Sequence, residues 1–144
     1  MERLRLATNE DMALLFEWAN DRNVRNLSFC TEPISWETHV EWFQQMMHSQ
    51  DVIQFIYECD DKLVGQVRLR IHNGAGLISY SIASEYRGNG KATQMLTLLE
   101  KTVRKEYPKL KELVAEVKEE NVASQRVFEK LEYGGKVIVY KKKL

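Results

Sequence analysis

Glu85-Tyr86-Arg87-Gly88-Asn89-Gly90-Lys91-Ala92 is the stretch on which the reading of this chain turns. Before it, Leu77 to Ala83 is a segment of strand length. After it, Ala92, Met95, Leu96, Leu99 and Val103 recur at helical spacing and predict a helix from about Gly90 to Glu106. Two glycines at a strand-to-helix turn let the backbone come close to a bulky anion. The unpaired N–H groups and positive dipole end of the helix start favour phosphate. The loop therefore reads as a diphosphate cradle, with a plain glycine turn as the alternative. A Walker loop is excluded, because it needs Gly where Glu85 stands and Ser or Thr where Ala92 stands. The dinucleotide fingerprint fails at Thr93, the place of its third glycine.

Working outward, Val52 to Cys59 and the alternating Leu63, Gly65, Val67, Leu69 and Ile71 predict a hairpin turned at Asp60-Asp61-Lys62. His72 to Gly76 turns the chain again into Leu77 to Ala83, giving an antiparallel meander. The predicted helix then leads to a strand over Glu112 to Lys118, and a helix between two strands implies a parallel crossover. A last helix is expected over about Val122 to Leu131, and a closing strand over Lys136 to Lys142. Toward the N-terminus, Leu4 to Ala7 reads as a short strand, and Thr8 with Asp11 resembles the cap of a helix running through Ala19. Ser35 is a second cap, opening a helix over 36–48. There Trp36, Val40, Phe43 and Met47 form one stripe, and His39, Trp42 and Met46 another. The sum is an α/β (α+β) chain: one domain over 1–144, a mixed antiparallel and parallel sheet of about six strands, and helices on both faces.

Composition narrows the partners. The 144 residues are 44% hydrophobic and 29% charged, an ordinary globular balance. Lys plus Arg and Asp plus Glu are each 21, so no global field attracts nucleic acid or anionic lipid. Charged residues break up the first thirty positions, and no run approaches the roughly 18 apolar residues that span a bilayer. Cytoplasmic location, no nucleic acid and no membrane are the expectations. Cys30 and Cys59 cannot build a disulfide framework, and His39, His48 and His72 lack the spacing of metal ligands, so no metal is expected.

Arg87-x-x-Gly90-x-Ala92, after a strand and opening a helix, resembles the acyl-CoA pyrophosphate motif of GCN5-related N-acetyltransferases. Glu116 to Ser124, running on to Phe128, Lys130 and Leu131, looks like the strand and helix that finish this family's cofactor site. The specific motifs span about 60 residues, Leu77 to Tyr133, and the strand order outside them fits the whole fold. The resemblance implies the family's fold and acetyl-CoA as cosubstrate, lying in a V-shaped opening between the strands ending at Ile82 and near Lys118. It also implies that backbone N–H groups of Gly88, Asn89, Gly90, Lys91 and Ala92, after Arg87, hold the pyrophosphate. Backbone near Ile82 and Ala83 would hold the thioester and pantetheine arm, with Asn121 and Phe128 completing the cofactor site.

Acetyl transfer to an amine needs a neutral nucleophile, a polarised thioester carbonyl and, in some enzymes, a proton for the departing thiolate. Glu116 matches the position that supplies a general base in ribosomal-protein alanine acetyltransferases of the family; a solvated strand carboxylate is the alternative. Asn121, Ser124 and Phe128 fall at i, i+3 and i+7 on one helix face, with Asn121 also an N-cap candidate. Many members carry Tyr as general acid where this chain has Phe128. Ser124, Tyr80, Tyr86 or Tyr133 could substitute, or no acid is used, and the acid stays unassigned.

The early helices resemble those of acetyltransferases acting on nucleotide-linked amino sugars, as in pseudaminic-acid pathways. On that reading the substrate is a small-molecule amine. Arg25 could pair with a phosphate, Asn20 and His39 could bond sugar hydroxyls, and Phe29 or Trp42 could stack on a ring. Each also has a plain role as cap, surface ion pair or core. The alternatives are a protein N-terminal or lysine acetyltransferase and an acyl-CoA-binding sensor without turnover. Relatives usually place a two-strand hairpin after the position of Tyr133. The short tail here leaves the closing edge, and a homodimer through it, open.

Overall fold

The computed structural model describes residues 1–144. In chain order the elements are β1 (Glu2–Leu6), a 3₁₀ turn (Asn9–Asp11), α1 (Met12–Ala19), α2 (Arg22–Leu27), α3 (Trp36–His48), β2 (Val52–Cys59), β3 (Lys62–His72) and β4 (Ala75–Ile82). A 3₁₀ turn (Ser84–Tyr86), α4 (Lys91–Glu106), β5 (Glu112–Ala115) and α5 (Val122–Lys130) follow. The sheet runs β1-β2-β3-β4-β5; the first three pairings are antiparallel and β4–β5 is parallel, with α4 as the crossover.

Local chemistry accounts for the boundaries. Thr8 and Asp11 form a capping box, Ser35 caps α3 through the Thr38 amide, and Asn121 caps α5 through the Ser124 amide. The β2–β3 turn places Asp60 and Asp61 at positive φ, and the β3–β4 turn does the same with Asn73 and Gly74, the geometry that suits the twist of a tight hairpin. On one face of the sheet, Val67 and Leu69 of β3 and Ile78 and Ile82 of β4 pack against Met95, Leu96, Leu99 and Val103 of α4 and Phe128 of α5. On the other, Ile56 packs against Leu15 of α1 and Phe43 and Met46 of α3.

Three expectations are corrected. The sheet has five strands, not six: residues 136–142 form no ladder, and Val137, Ile138, Val139 and Tyr140 are exposed. Alternation alone does not make a strand without a partner for its N–H and C=O groups. That segment passes Glu129, which Lys136 reaches, and Phe29, whose ring lies 5.3 Å from Lys141 Nζ. Second, β5 stops at Ala115 rather than Lys118, because its pairing with β4 ends at Ile78 and Ala115 and the strands then part. Third, α2 was not anticipated; Asp21 caps it through the Val24 amide, and none of its residues is fully buried.

Candidate active site

Where β4 and β5 part, a cleft of about 680 Å³ opens. Its walls come from the last half of β4, the loop before α4, residues 115–118, the cleft face of α5 and the α2 region as far as Cys30. The α4 end is built for an anion. Gly88 and Gly90 hold φ of +81° and +72°, and a Cβ added at either would meet nothing within 4 Å, so the loop presents bare backbone to open space. Gly90 is the N-cap of α4 and no side chain caps that end; the first helical bond is Gln94 N–H to Gly90 C=O. The first-turn amides are thus left for a ligand. Gly88, Gly90, Lys91 and Ala92 line the cleft. Asn89 does not, and its side chain turns back to the Arg87 carbonyl.

Arg87 does not project freely. Its Nε donates to the Ile82 carbonyl at 2.9 Å and its Nη2 to Asp21 at 2.9 Å, so it braces the loop against β4 and the start of α2. The two residues expected at the thioester differ. Ala83 is spent: its N–H donates to Val64 and its C=O accepts from Tyr86. Ladder alternation from that bond turns the Tyr80 and Ile82 peptide groups away from β3, toward the gap. With the Ile82 carbonyl held by Arg87, the Ile82 N–H is the donor that faces the cleft.

Glu116 lies one residue past β5, exposed, and is the sole carboxylate lining the cleft. Across from it, Tyr80 Oη sits 2.7 Å from Ser124 Oγ. Burial raises the Tyr80 phenol above its ordinary value despite the opposing Ser124 hydrogen bond, and the net rise keeps it protonated at neutral pH. Phe128 is buried and meets the Tyr80 ring edge-on at 5.9 Å and Tyr133 at 4.9 Å. Tyr133 lies outside the cleft with its hydroxyl buried and unpartnered, and burial pushes it up to about 12. Of the four substitutes for the missing tyrosine, Tyr80, Ser124 and Tyr86 line the cleft.

The expected acceptor residues divide. Phe29 lies on the rim, 60% exposed, with Lys118 Nζ 5.9 Å from its ring. Arg25 lines the cleft, but its guanidinium collects the carbonyls of Ala19, Cys30 and Glu32 and the Ser28 hydroxyl, fixing the α2–α3 connection. Asn20 is a clamp, accepting from the Ile34 N–H at 2.7 Å and donating to its C=O at 2.9 Å. His39 is buried against the Met12 carbonyl, and neither it nor Asn20 nor Trp42 lines the cleft. For these three the plain roles hold: a clamp for Asn20, a core partner for His39 and a half-buried platform for Trp42.

Sequence reading missed Arg68 and Arg70. Both line the cleft, and Arg68 lies 5.0 Å over the Trp42 ring. The signal was present, since two arginines two apart on an alternating strand share a face.

With fold and site in view, the acetyltransferase (GNAT) domain model matches residues 3–133, and the chain belongs to that family. A search of curated proteins by sequence finds no match. Among solved structures, a domain from Methanocaldococcus jannaschii superposes with TM-score 0.80 at 22% identity, over 93% of this chain and 88% of that one. Spermidine N-acetyltransferase from Vibrio cholerae, in complex with CoA and spermine, gives 0.79 at 23%, over 90% and 78%. An aminoglycoside acetyltransferase with coenzyme A gives 0.78 at 17%, over 90% and 82%. No helix is long and apolar enough to cross a membrane.

Proposed function

We propose that the chain transfers an acetyl group from acetyl-CoA directly to a primary amine on a small molecule, with a nucleotide-linked amino sugar as the acceptor. The observation that carries the cofactor assignment is the uncapped start of α4 behind two left-handed glycines, open to the cleft. The residues fit a pyrophosphate: the amides of Gly88, Gly90, Lys91 and Ala92 would hold it, Lys91 would add charge, and Asn121, Ser124 and Phe128 line the rest of the cleft wall. When bound, acetyl-CoA supplies an acyl thioester, and the amide N–C bond forms as the C–S bond breaks.

The protein's part is orientation and protons. The Ile82 N–H would donate to the thioester carbonyl oxygen and polarise it. Glu116, at the cleft margin, takes the proton released by the acceptor nitrogen, directly or through water. Tyr80 Oη holds a proton that Ser124 Oγ orients, and it replaces the tyrosine absent at Phe128 as the donor to sulfur. Phe29, exposed on the rim, offers a face on which a base or sugar ring stacks.

The structural neighbours named for spermidine and aminoglycosides keep small amines other than nucleotide sugars in the test. The Glu116 correspondence keeps peptides there. Acetyl-CoA-dependent thiol release is measured with a UDP-linked 4-amino-dideoxy sugar, spermidine, kanamycin and peptides with free N-termini. Release with the sugar alone is the expected result; release with peptides alone moves the function to protein acetylation. Acetyl-CoA binding without release from any of them leaves the non-catalytic binder.

A further inference from the structure

Seven charged side chains line the cleft, and six are cationic: Arg25, Arg68, Arg70, Arg87, Lys91 and Lys118 stand against Glu116. In a chain with no net charge this is a strong local asymmetry. Four of the six are already accounted for. Arg25 gathers loop carbonyls, Arg87 pairs with Asp21, Lys91 sits at the phosphate loop and Lys118 lies 3.9 Å from Glu120. Arg68 and Arg70 have no carboxylate within ion-pair distance; Arg22 and Arg126 share that but are exposed, as Arg70 is, whereas Arg68 is half-buried.

The two sit on the sheet face opposite α4. Across the β3–β4 ladder Arg68 stands beside Ser79 and Arg70 beside Leu77, and the intervening Val67 and Leu69 point into the α4 core. Their place is therefore separate from the phosphate loop. Ser79 is three residues before Ile82, about 10 Å back along the strand, and on the other side of the sheet. The Trp42 ring holds the Arg68 guanidinium by stacking, so the group is oriented before any ligand arrives. Half-burying an arginine beside a second one, with no counter-ion, is costly unless an anion completes the site. Two adjacent guanidiniums offer paired donors to a dianion, more than a single carboxylate needs.

Resting on the reading of this cleft as an acetyltransferase site, we propose that Arg68 and Arg70 bind a phosphate group carried by the amine acceptor. The same pair repels polycations, so spermidine and aminoglycosides are selected against.

The test is calorimetric. Protein saturated with CoA, so that the α4 loop is filled, is titrated with UDP, inorganic pyrophosphate and spermidine. UDP and pyrophosphate are expected to bind and spermidine not to. R68Q and R70Q are each expected to weaken UDP at least tenfold while leaving CoA affinity and melting temperature unchanged. The proposal is overturned if neither phosphate ligand binds the wild type at millimolar concentration, or if both variants bind UDP as the wild type does. If CoA itself does not bind, the titration is run on the free protein with the same criteria, and the cofactor reading fails separately. UDP binding that depends on Arg68, without turnover of the amino sugar, sinks the sugar assignment and keeps the phosphate site.

Discussion

Asp21 and Arg87, 66 positions apart, are joined by a 2.9 Å ion pair that ties the start of α2 to the loop preceding α4. Arg87 opens the family motif, yet its charge is spent inside the protein. The pair ties the α2 wall of the cleft to the loop at its α4 end.

The coupling carries a pH signature. Burial works against the Asp21 carboxylate, but hydrogen bonds from Arg87 and from the Val24 and Asn23 amides outweigh it and hold the group below the usual carboxylate range. A depressed carboxylate contributes stability that is present above its unfolded value, about 3.9, and lost as pH falls through the folded one. Asp21→Asn keeps the cap and drops the charge, and lowers CoA affinity about threefold to fivefold at pH 7. The difference between variant and wild type closes only as the pH falls through the folded Asp21 value, below the usual carboxylate range, read by titration across pH.

Gly90→Ala puts a side chain on a residue at φ +72° and costs about 1–2 kcal/mol in a thermal melt. Gly90→Glu adds a negative charge in the cradle and abolishes acetyl-CoA binding by calorimetry. Unchanged affinity in a folded Gly90→Glu protein would remove the cofactor assignment.

Glu116→Gln leaves acetyl-CoA affinity within about twofold and lowers turnover at neutral pH by 10²–10⁴-fold, the usual contribution of a general base. Turnover within about twofold of wild type assigns Glu116 to solvent instead.

Tyr80→Phe lowers kcat about tenfold or more, while Phe128→Tyr alone changes little because Tyr80 already holds the proton. The double variant recovers part of the loss, its new hydroxyl standing where many relatives have theirs. Equal rates in all four proteins would show that the thiolate leaves without a donor.

Asn20→Ala removes both bonds to Ile34 and costs about 1–3 kcal/mol in chemical denaturation, with the acceptor KM changed by less than about threefold. A large rise in KM at unchanged stability would restore Asn20 to the substrate site.

What was legible in the sequence was what neighbours in sequence decide. The periods of β3 and α4, the caps at Thr8, Ser35 and Asn121, and the open turn at Gly88 and Gly90 are local, and all are present. The parting of β4 from β5 after Ala115 depends on two segments some thirty-five residues apart and left no local mark. Arg25 and Asn20 read as ligand-binding residues because their type permits it. Their actual partners are backbone groups of residues 19–34, whose positions no spacing rule reports. His39 belongs to the helical stripe with Trp42 and Met46, and its burial against Met12 follows from that stripe.

The two faces of the sheet are unequally filled. Twelve buried side chains lie in the cluster with α4 and α5, and five in the cluster with α1 and α3. Amide protons should therefore exchange unevenly: those of α4 and central β3 only through global opening, those of α1, α2 and the loop to α3 through cheaper local excursions. The face that packs on α4 and α5 is the rigid one. The α1–α3 side keeps its shape as much by polar clamps, such as Asn20 on Ile34, as by buried apolar area.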